Sequence, residues 1–142
     1  MGIYIGTSGY YYKTWRKRFY PTSVRDFLQY YSQFFPSVEI NASFYRIFKP
    51  DFYKKLIDRV PDDFKFVIKV HQNITHVRGD YYRDEIKKFN RSVKPLIRND
   101  KYGCLLLQFP FSFKYSKENM NYLEKLIKYL PVKKAVEFRH DS

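Results

Sequence analysis

The chain has 142 residues, of which 44% are hydrophobic and 21% aromatic, which is enough for one domain with its own core. It has no run of about 20 apolar residues and no basic and apolar leader, so we expect neither a membrane span nor a signal peptide. The single cysteine, Cys104, excludes an internal disulfide, and we therefore expect a reducing, cytoplasmic location. The net charge of +13 favours contact with phosphates or other polyanions, although lysines scattered over helices are also typical of solvated faces.

Short apolar segments predict five β-strands. They are residues 3–6, 37–41, 64–70, 103–109 and 134–139. The fourth is almost wholly apolar, as expected of a strand that is covered on both faces. In the second, Val38 and Ile40 share one face of an extended chain, and Glu39 lies on the other. A carboxylate in an apolar run is costly to bury without a partner, so this strand indicates a site rather than plain core.

Amphipathic segments between the strands predict four helices. The first begins with Ser23 as its N-cap and runs to Phe34 or Phe35, the second begins at Lys49-Pro50-Asp51 and includes Val60, the third covers residues 83–98, and the fourth runs from Ser116 to Leu130. Pro95 is expected to kink the third helix or to end it early. The order β-α-β-α-β-α-β-α-β predicts parallel strands that are joined by right-handed crossovers.

Sites in parallel α/β sheets form at the carboxyl ends of the strands. Two carboxylates and two cations lie there on faces that a barrel would turn inward, namely Glu39, Glu137, Lys69 and Arg139. Such a group can neutralise itself as an ion-pair network, hold an anionic or sugar-like ligand, or use its carboxylates for acid–base chemistry. Further substrate-binding candidates near the strand ends are Thr7, Ser8, Tyr10, Asn41, Tyr45, Arg46, His76, Gln108 and His140.

The aromatic and basic segment that spans residues 10–20 is the best nucleic-acid candidate, because rings can stack on bases while cations contact phosphates. Its leading residues are Trp15, Arg16, Lys17 and Arg18. The same segment could instead pack over the rim of the sheet through its own aromatic rings. His71, His76 and His140 could ligate a metal with Glu39 or Glu137, but no tight metal spacing is present, and we predict neither a metal nor another cofactor.

Several motifs together match one known family. They are Ile5-Gly6-Thr7-Ser8-Gly9-Tyr10, Phe19-Tyr20-Pro21, Val38-Glu39-Ile40-Asn41, Phe44-Tyr45-Arg46, Ile74-Thr75-His76, Leu107-Gln108-Phe109-Pro110 and Glu137-Phe138-Arg139-His140. With them the chain resembles the DUF72 (YecE-like) family, which implies a TIM-barrel-like fold but little about activity, because the family is named for unknown function. The resemblance covers only the N-terminal part of the family, and about three strands of an eight-stranded barrel are absent. We therefore predict a single α/β domain over residues 1–142, a partial TIM barrel of about (βα)4β.

Three functions remain open. The first is an enzyme, such as a hydrolase or lyase, acting on a phosphorylated, sugar or nucleic-acid substrate, with Glu39 and Glu137 as acid or base and with Lys69 and Arg139 holding the anion. The second is a basic nucleic-acid-binding module. The third is an incomplete barrel that acts only with a partner chain or a second copy, or that has lost its function. An open parallel sheet of five strands would expose two edges and its inner face, so we expect the chain to need a partner, but not a membrane.

Overall fold

The computed structural model describes residues 2–131 and 133–142. In this described part of the chain, five parallel strands form one sheet, and each strand after the first pairs with the strand that precedes it along the chain. The strands are β1 (Gly6–Ser8), β2 (Ser37–Ile40), β3 (Lys65–Lys69), β4 (Tyr102–Gln108) and β5 (Lys134–Glu137). Right-handed crossovers between sequential parallel neighbours place their helices on the same side of a sheet, which is the construction of a (βα) barrel. The predicted α/β class and strand order are confirmed.

Within the described residues, five α-helices connect the strands. They are α1 (Phe27–Tyr31), α2 (Ala42–Tyr45), α3 (Pro50–Ile57), α4 (Tyr82–Arg98) and α5 (Lys117–Tyr129). A 3₁₀ turn at Lys13–Trp15 and a π-helical turn at Asn73–Val77 follow β1 and β3. No helix in the part of the chain that the structure describes has both the length and the apolar character needed to cross a lipid bilayer.

The two faces of the sheet differ in burial. Alternate strand residues such as Val38, Ile68 and Leu105 are at most 1% exposed and pack with Tyr53 and Phe89 of the helices in one core. The residues between them project from the opposite side, which we call the open face. Its side chains are Ser8, Glu39, Val67, Lys69, Cys104, Leu106, Gln108, Ala135 and Glu137. Strand β4 is therefore covered on one face only, contrary to the sequence prediction, because Cys104 and Leu106 keep part of their surface accessible.

Strand β1 begins later than predicted, at Gly6 rather than Ile3. Gly6 approaches β2 so closely that a Cβ atom there would lie 2.0 Å from the carbonyl oxygen of Ser37. Ile3 and Ile5 lie outside the strand and are 90% and 67% exposed. The pairing of β1 is thus centred on the small residues Gly6 to Ser8.

The first helix differs from prediction, whereas the third, predicted over residues 83–98, is confirmed as α4. Helix α1 is capped by Asp26, whose Oδ1 accepts a hydrogen bond of 2.9 Å from the backbone of Gln29, so Ser23 is not its N-cap. Helix α4 does not end early at Pro95 but continues to Arg98. Pro95 and its neighbour Leu96 are buried, and this packing offsets the missing backbone donor of the proline.

The short helix α2 was not predicted, and one hydroxyl fixes its place. The Oγ atom of Ser43 lies 2.7 Å from the carbonyl oxygens of both Ile40 and Lys69 and is fully enclosed. It thereby ties the ends of β2 and β3 together. This contact positions the following residue, Phe44, above the end of β3.

Candidate polar site at the carboxyl ends of the strands

A chain of hydrogen bonds joins the carboxyl ends of three neighbouring strands. Lys69 Nζ donates to Gln108 Oε1 over 2.7 Å, and Gln108 Nε2 donates to Glu137 Oε1 over 2.8 Å. Arg139 Nε lies 2.9 Å from the same carboxylate oxygen. We call these four residues the rim network. Alternation along β3, β4 and β5 brings Lys69, Gln108 and Glu137 to one side of the sheet. Strand β5 ends at Glu137, earlier than predicted, and Arg139 follows it in a bend.

A second polar group lies at the ends of β1 and β2. Ser8 Oγ donates to Glu39 Oε1 over 3.2 Å, and Asn41 donates through its amide to the same serine oxygen. We call these three residues the β1–β2 cluster. Burial, followed by the charge of Glu39, raises the pKa of the Cys104 thiol. Glu39 is thus directed over the open face, and Cys104 is not activated as a nucleophile.

Lys69 lies on the face of an aromatic ring that was not among the predicted site residues. Its ammonium group is 4.8 Å from the ring centroid of Phe44, and the ring of His76 contacts Phe44 edge-on at 4.8 Å. His76 Nδ1 also lies 2.9 Å from Thr75 Oγ1. Burial, the charge of Lys69 and then that of Arg78 lower the pKa of His76, so its imidazole is neutral at neutral pH.

The structure separates groups that the sequence led us to expect in one cluster. Glu137 meets Arg139 directly, but it reaches Lys69 only through Gln108. Within the described residues, no carboxylate oxygen lies within 4 Å of Lys69 Nζ. Glu39 belongs to the other group. The site therefore has an acidic group at β1–β2, a cation at Lys69 on the central strand β3, and the Glu137–Arg139 ion pair on the side of β5.

Two candidates lie away from the open face. The hydroxyl of Thr7 donates to the carbonyl oxygen of Gly9 over 2.6 Å and lies 2.9 Å from the hydroxyl of Tyr31 on α1. Tyr10 is partly buried against the core, and its backbone carbonyl accepts from Tyr20. Thr7 and Tyr10 therefore help to pack β1 and the loop that follows it.

Three other candidates lie on the rim without joining either polar group. Tyr45, at the end of α2, is 72% exposed, and the guanidinium of Arg46 lies 5.6 Å over the ring of Phe48. His140 contacts the ring of Phe111 at 4.7 Å. These side chains border the site but do not form its centre.

A family model described as "Protein of unknown function DUF72" matches residues 4–142. The chain belongs to the DUF72 family. It is 35% identical to the UPF0759 protein YunF of Bacillus subtilis (strain 168), over 99% of this chain and 51% of the relative. A DUF72 family protein from Thermotoga maritima MSB8 is 36% identical with a TM-score of 0.83, and one from Enterococcus faecalis V583 is 26% identical with a TM-score of 0.83. This chain is covered to 96% in both comparisons, against 55% and 50% of those chains.

This DUF72 chain spans about half the length of the relatives it matches. The structural neighbours are TIM-barrel-like, and the five-stranded sheet accounts for the matched part of that fold. The predicted family and the predicted partial match to it are confirmed. The comparisons assign no activity, since the family is one of unknown function.

The aromatic and basic segment of the DUF72 chain packs against itself. The ring of Trp15 lies 4.8 Å from that of Tyr12 and 5.7 Å from that of Phe19. The guanidinium of Arg16 lies 5.7 Å over the ring of Phe27 on α1. Lys17 occupies a left-handed backbone conformation with φ of 63°. These contacts agree with the second prediction for this segment, in which it packs over the rim of the sheet through its own aromatic rings rather than presenting them to nucleic acid.

The histidine that follows β3 lies below the rim. His71 is 7% exposed, and its Nδ1 accepts from the backbone of Asn73 over 3.2 Å. The side-chain amide of Asn73 donates to Glu85 Oε2 over 3.4 Å and so connects the π-helical turn to α4. Within residues 2–131 and 133–142, no three His, Cys, Asp or Glu side chains are grouped closely enough to hold a metal ion.

Proposed function

We propose that the rim network and the β1–β2 cluster form one wall of a pocket for an anionic substrate, such as a phosphorylated sugar or nucleotide, in a hydrolase or lyase. One observation carries this proposal: Lys69 lies at the carboxyl ends of the strands with no carboxylate within 4 Å in the described chain. An ammonium group in this position can bind a phosphate without first breaking an ion pair.

The surroundings of Lys69 support an anion there. Burial is the main cause that lowers the pKa of His76, and the positive charges of Lys69 and Arg78 add to it. Gln108 accepts from Lys69 through a neutral amide, so the charge of the ammonium group is not cancelled by its nearest partner. A ligand phosphate would supply the missing negative charge.

The two carboxylates suit different roles. Glu137 Oε1 accepts from both Gln108 and Arg139, so it is suited to orienting these side chains around a ligand. Among the residues that the structure describes, the carboxylate of Glu39 has a single neutral donor, Ser8, which leaves it better placed to exchange a proton with a substrate. We therefore assign Glu39 the acid–base role and Glu137 an orienting role.

Calorimetric titration with matched sugars and nucleotides tests this assignment. The probes are ribose 5-phosphate, glucose 6-phosphate and AMP, each paired with ribose, glucose or adenosine. We expect at least one phosphorylated probe to bind more tightly than its unphosphorylated partner, and Lys69→Met to weaken its binding tenfold or more. Lys87→Met, which alters an 80% exposed lysine on α4, should leave the affinity unchanged. Equal binding of both members of every pair would disprove the proposal.

A nucleic-acid-binding module is the second candidate, favoured by the net charge of +13. A single-stranded oligonucleotide titrated at rising salt tests it. Steeply salt-dependent binding that survives Lys69→Met but is lost when Arg16, Lys17 and Arg18 are changed to Gln would favour this module over the pocket.

A further inference from the structure

A groove of about 570 Å³ runs between α3 and the second half of α4. Among the described residues that line it, one is a carboxylate, Asp58, and four are cations, namely Lys54 on α3 and Arg91, Lys94 and Arg98 on α4. We call it the basic groove. Helices α3 and α4 pack against each other, so both walls of the groove belong to the part of the chain that the structure describes.

The three cations of α4 share one side of the helix. Arg91, Lys94 and Arg98 follow one another at spacings of three and four residues, and all three side chains are exposed. None of them has a carboxylate oxygen within 4 Å in the described chain. Like charges at these spacings repel each other and destabilise a helix. The dipole of α4 favours a cation in the last turn, which accounts for Arg98 but not for Arg91 or Lys94.

The first half of α4 is arranged differently. Lys87 Nζ lies 3.5 Å from Asp84 Oδ1, and Lys88 Nζ lies 3.2 Å from Glu85 Oε1. Each of these lysines therefore has a carboxylate one turn earlier on the same helix, which compensates its charge locally. The uncompensated positive charge of α4 is concentrated in its second half, beside the basic groove, where an external polyanion would relieve the repulsion.

The lining of the basic groove favours phosphates over unstacked bases. Its apolar surface comes from Pro50, Ile57 and Pro95, and none of the described residues in the lining is aromatic. Proteins that bind single strands stack the bases on aromatic rings, whereas a duplex keeps its bases stacked and presents its phosphates. On the α3 side, Lys54 is paired with Asp51 over 2.8 Å, so the contact with phosphates falls mainly to α4.

We propose that the second half of α4 binds the phosphate backbone of a nucleic-acid duplex through Arg91, Lys94 and Arg98. The seven residues from the first to the last of these cations span about 10 Å of helix. A DNA duplex carries one phosphate charge per about 1.7 Å of its axis, so the three cations would meet several phosphates at once. Contacts to phosphates carry no sequence information, and binding is therefore independent of base sequence. The proposal depends neither on the substrate pocket at Lys69 nor on the segment of residues 10–20.

Fluorescence anisotropy of a labelled 20-base-pair DNA duplex, titrated with the full 142-residue chain, tests the proposal. We expect the combined change Arg91→Gln, Lys94→Gln and Arg98→Gln to weaken binding tenfold or more in about 0.1 M salt. The slope of log affinity against log salt should fall by about 2 to 3, because up to three phosphate contacts are lost. All three side chains are exposed, so the circular dichroism spectrum and the melting temperature should be preserved. An RNA duplex of the same sequence, titrated in parallel, shows which backbone binds more tightly.

The matched control removes the same number of charges from another helix. Lys117, Lys125 and Lys128 are exposed on α5, which lies on the other side of α4 from the basic groove. Changing these three to Gln should alter the affinity for the duplex less than threefold, since exposed charges more than about 10 Å apart are largely screened at this salt. Lys69→Met should leave duplex binding unchanged, so failure of the substrate pocket and failure of the duplex contact can be told apart.

Four results would overturn the proposal. The first is the absence of duplex binding in 0.1 M salt, and the second is an equal loss of affinity in the α4 and α5 variants, which would assign the attraction to net charge alone. The third is tighter binding of a single strand of the same length than of the duplex. The fourth is a loss of duplex binding when residues 16–18 are changed to Gln but not in the α4 variant, which would place the contact on the aromatic and basic segment.

Discussion

At the scale of single residues, Asp26 joins two parts of the chain that are far apart in sequence. Its carboxylate caps α1 and also forms a two-point ion pair with Arg59, with Nε–Oδ2 and Nη2–Oδ1 distances of 2.8 and 2.6 Å. The hydrogen bond from Arg59 is the main cause that holds the pKa of Asp26 below its usual range, and burial opposes it. A bidentate pair of this kind is sensitive to protonation of the carboxylate.

Asp26 should make stability depend on pH in the acidic range. The pKa of Asp26 is near 4 in the unfolded chain and lower in the folded chain. The stability that Asp26 contributes is therefore complete above about pH 4 and is lost as the pH falls through the pKa of the folded chain. We expect Asp26→Asn to lower the melting temperature clearly at pH 6 and much less at pH 2.5. Thermal unfolding across this range measures the difference. Asp80→Asn, at an exposed carboxylate without an ion pair within 4 Å in the described chain, should show no such trend.

The rim residues could be predicted from the sequence, but their hydrogen-bond partners could not. Alternation and strand order are enough to place Lys69, Glu137 and Arg139 at one end of the sheet. Which of them touch depends on register, and the pairing of β3 with β4 shifts between Phe66 and Val67. No pattern in the sequence predicts this shift in register. Gln108 therefore emerged as the link between Lys69 and Glu137 only in the structure.

At the scale of elements, the helices with a clear apolar spacing could be predicted, whereas α2 and the π-helical turn could not. The apolar spacing of α4 and the Ser116 cap of α5 are local signals, and both are confirmed. The π-helical turn at Asn73–Val77 has no comparable pattern, because it is held by hydrogen bonds of Asn73 with His71 and Glu85. The cap of α1 was misassigned to Ser23 because Arg59, which fixes Asp26, lies 33 residues away.

The pairing of β1 with β2 should depend on the absence of a side chain at Gly6. A Cβ atom there would lie 2.0 Å from the backbone oxygen of Ser37, which cannot move without breaking the strand pair. We expect Gly6→Ala to lower the free energy of unfolding by about 3 kcal/mol, or to release β1 from the sheet. Urea denaturation and amide hydrogen exchange of residues 6–8 measure the two effects.

Gly79→Ala is the matched control for that change. No atom lies within 4 Å of a Cβ placed at Gly79, so the substitution should change stability by less than about 0.5 kcal/mol. If Gly6→Ala were equally mild, β1 would not be held by the close contact with β2.

At the scale of the whole molecule, the sheet has one face that supports the fold and one that is available for contact. Adjacent residues of β4 test this division directly. Leu105 is fully buried against the helices, whereas Leu106 projects from the open face and is partly exposed.

In the free chain we expect Leu105→Ala to lower the free energy of unfolding by about 3 kcal/mol, within the usual range for a buried leucine, and Leu106→Ala to lower it by less than about 1 kcal/mol. Urea denaturation of both variants gives the comparison. Equal costs in the free chain would mean that the open face is already covered, and the division between the two faces would then be wrong.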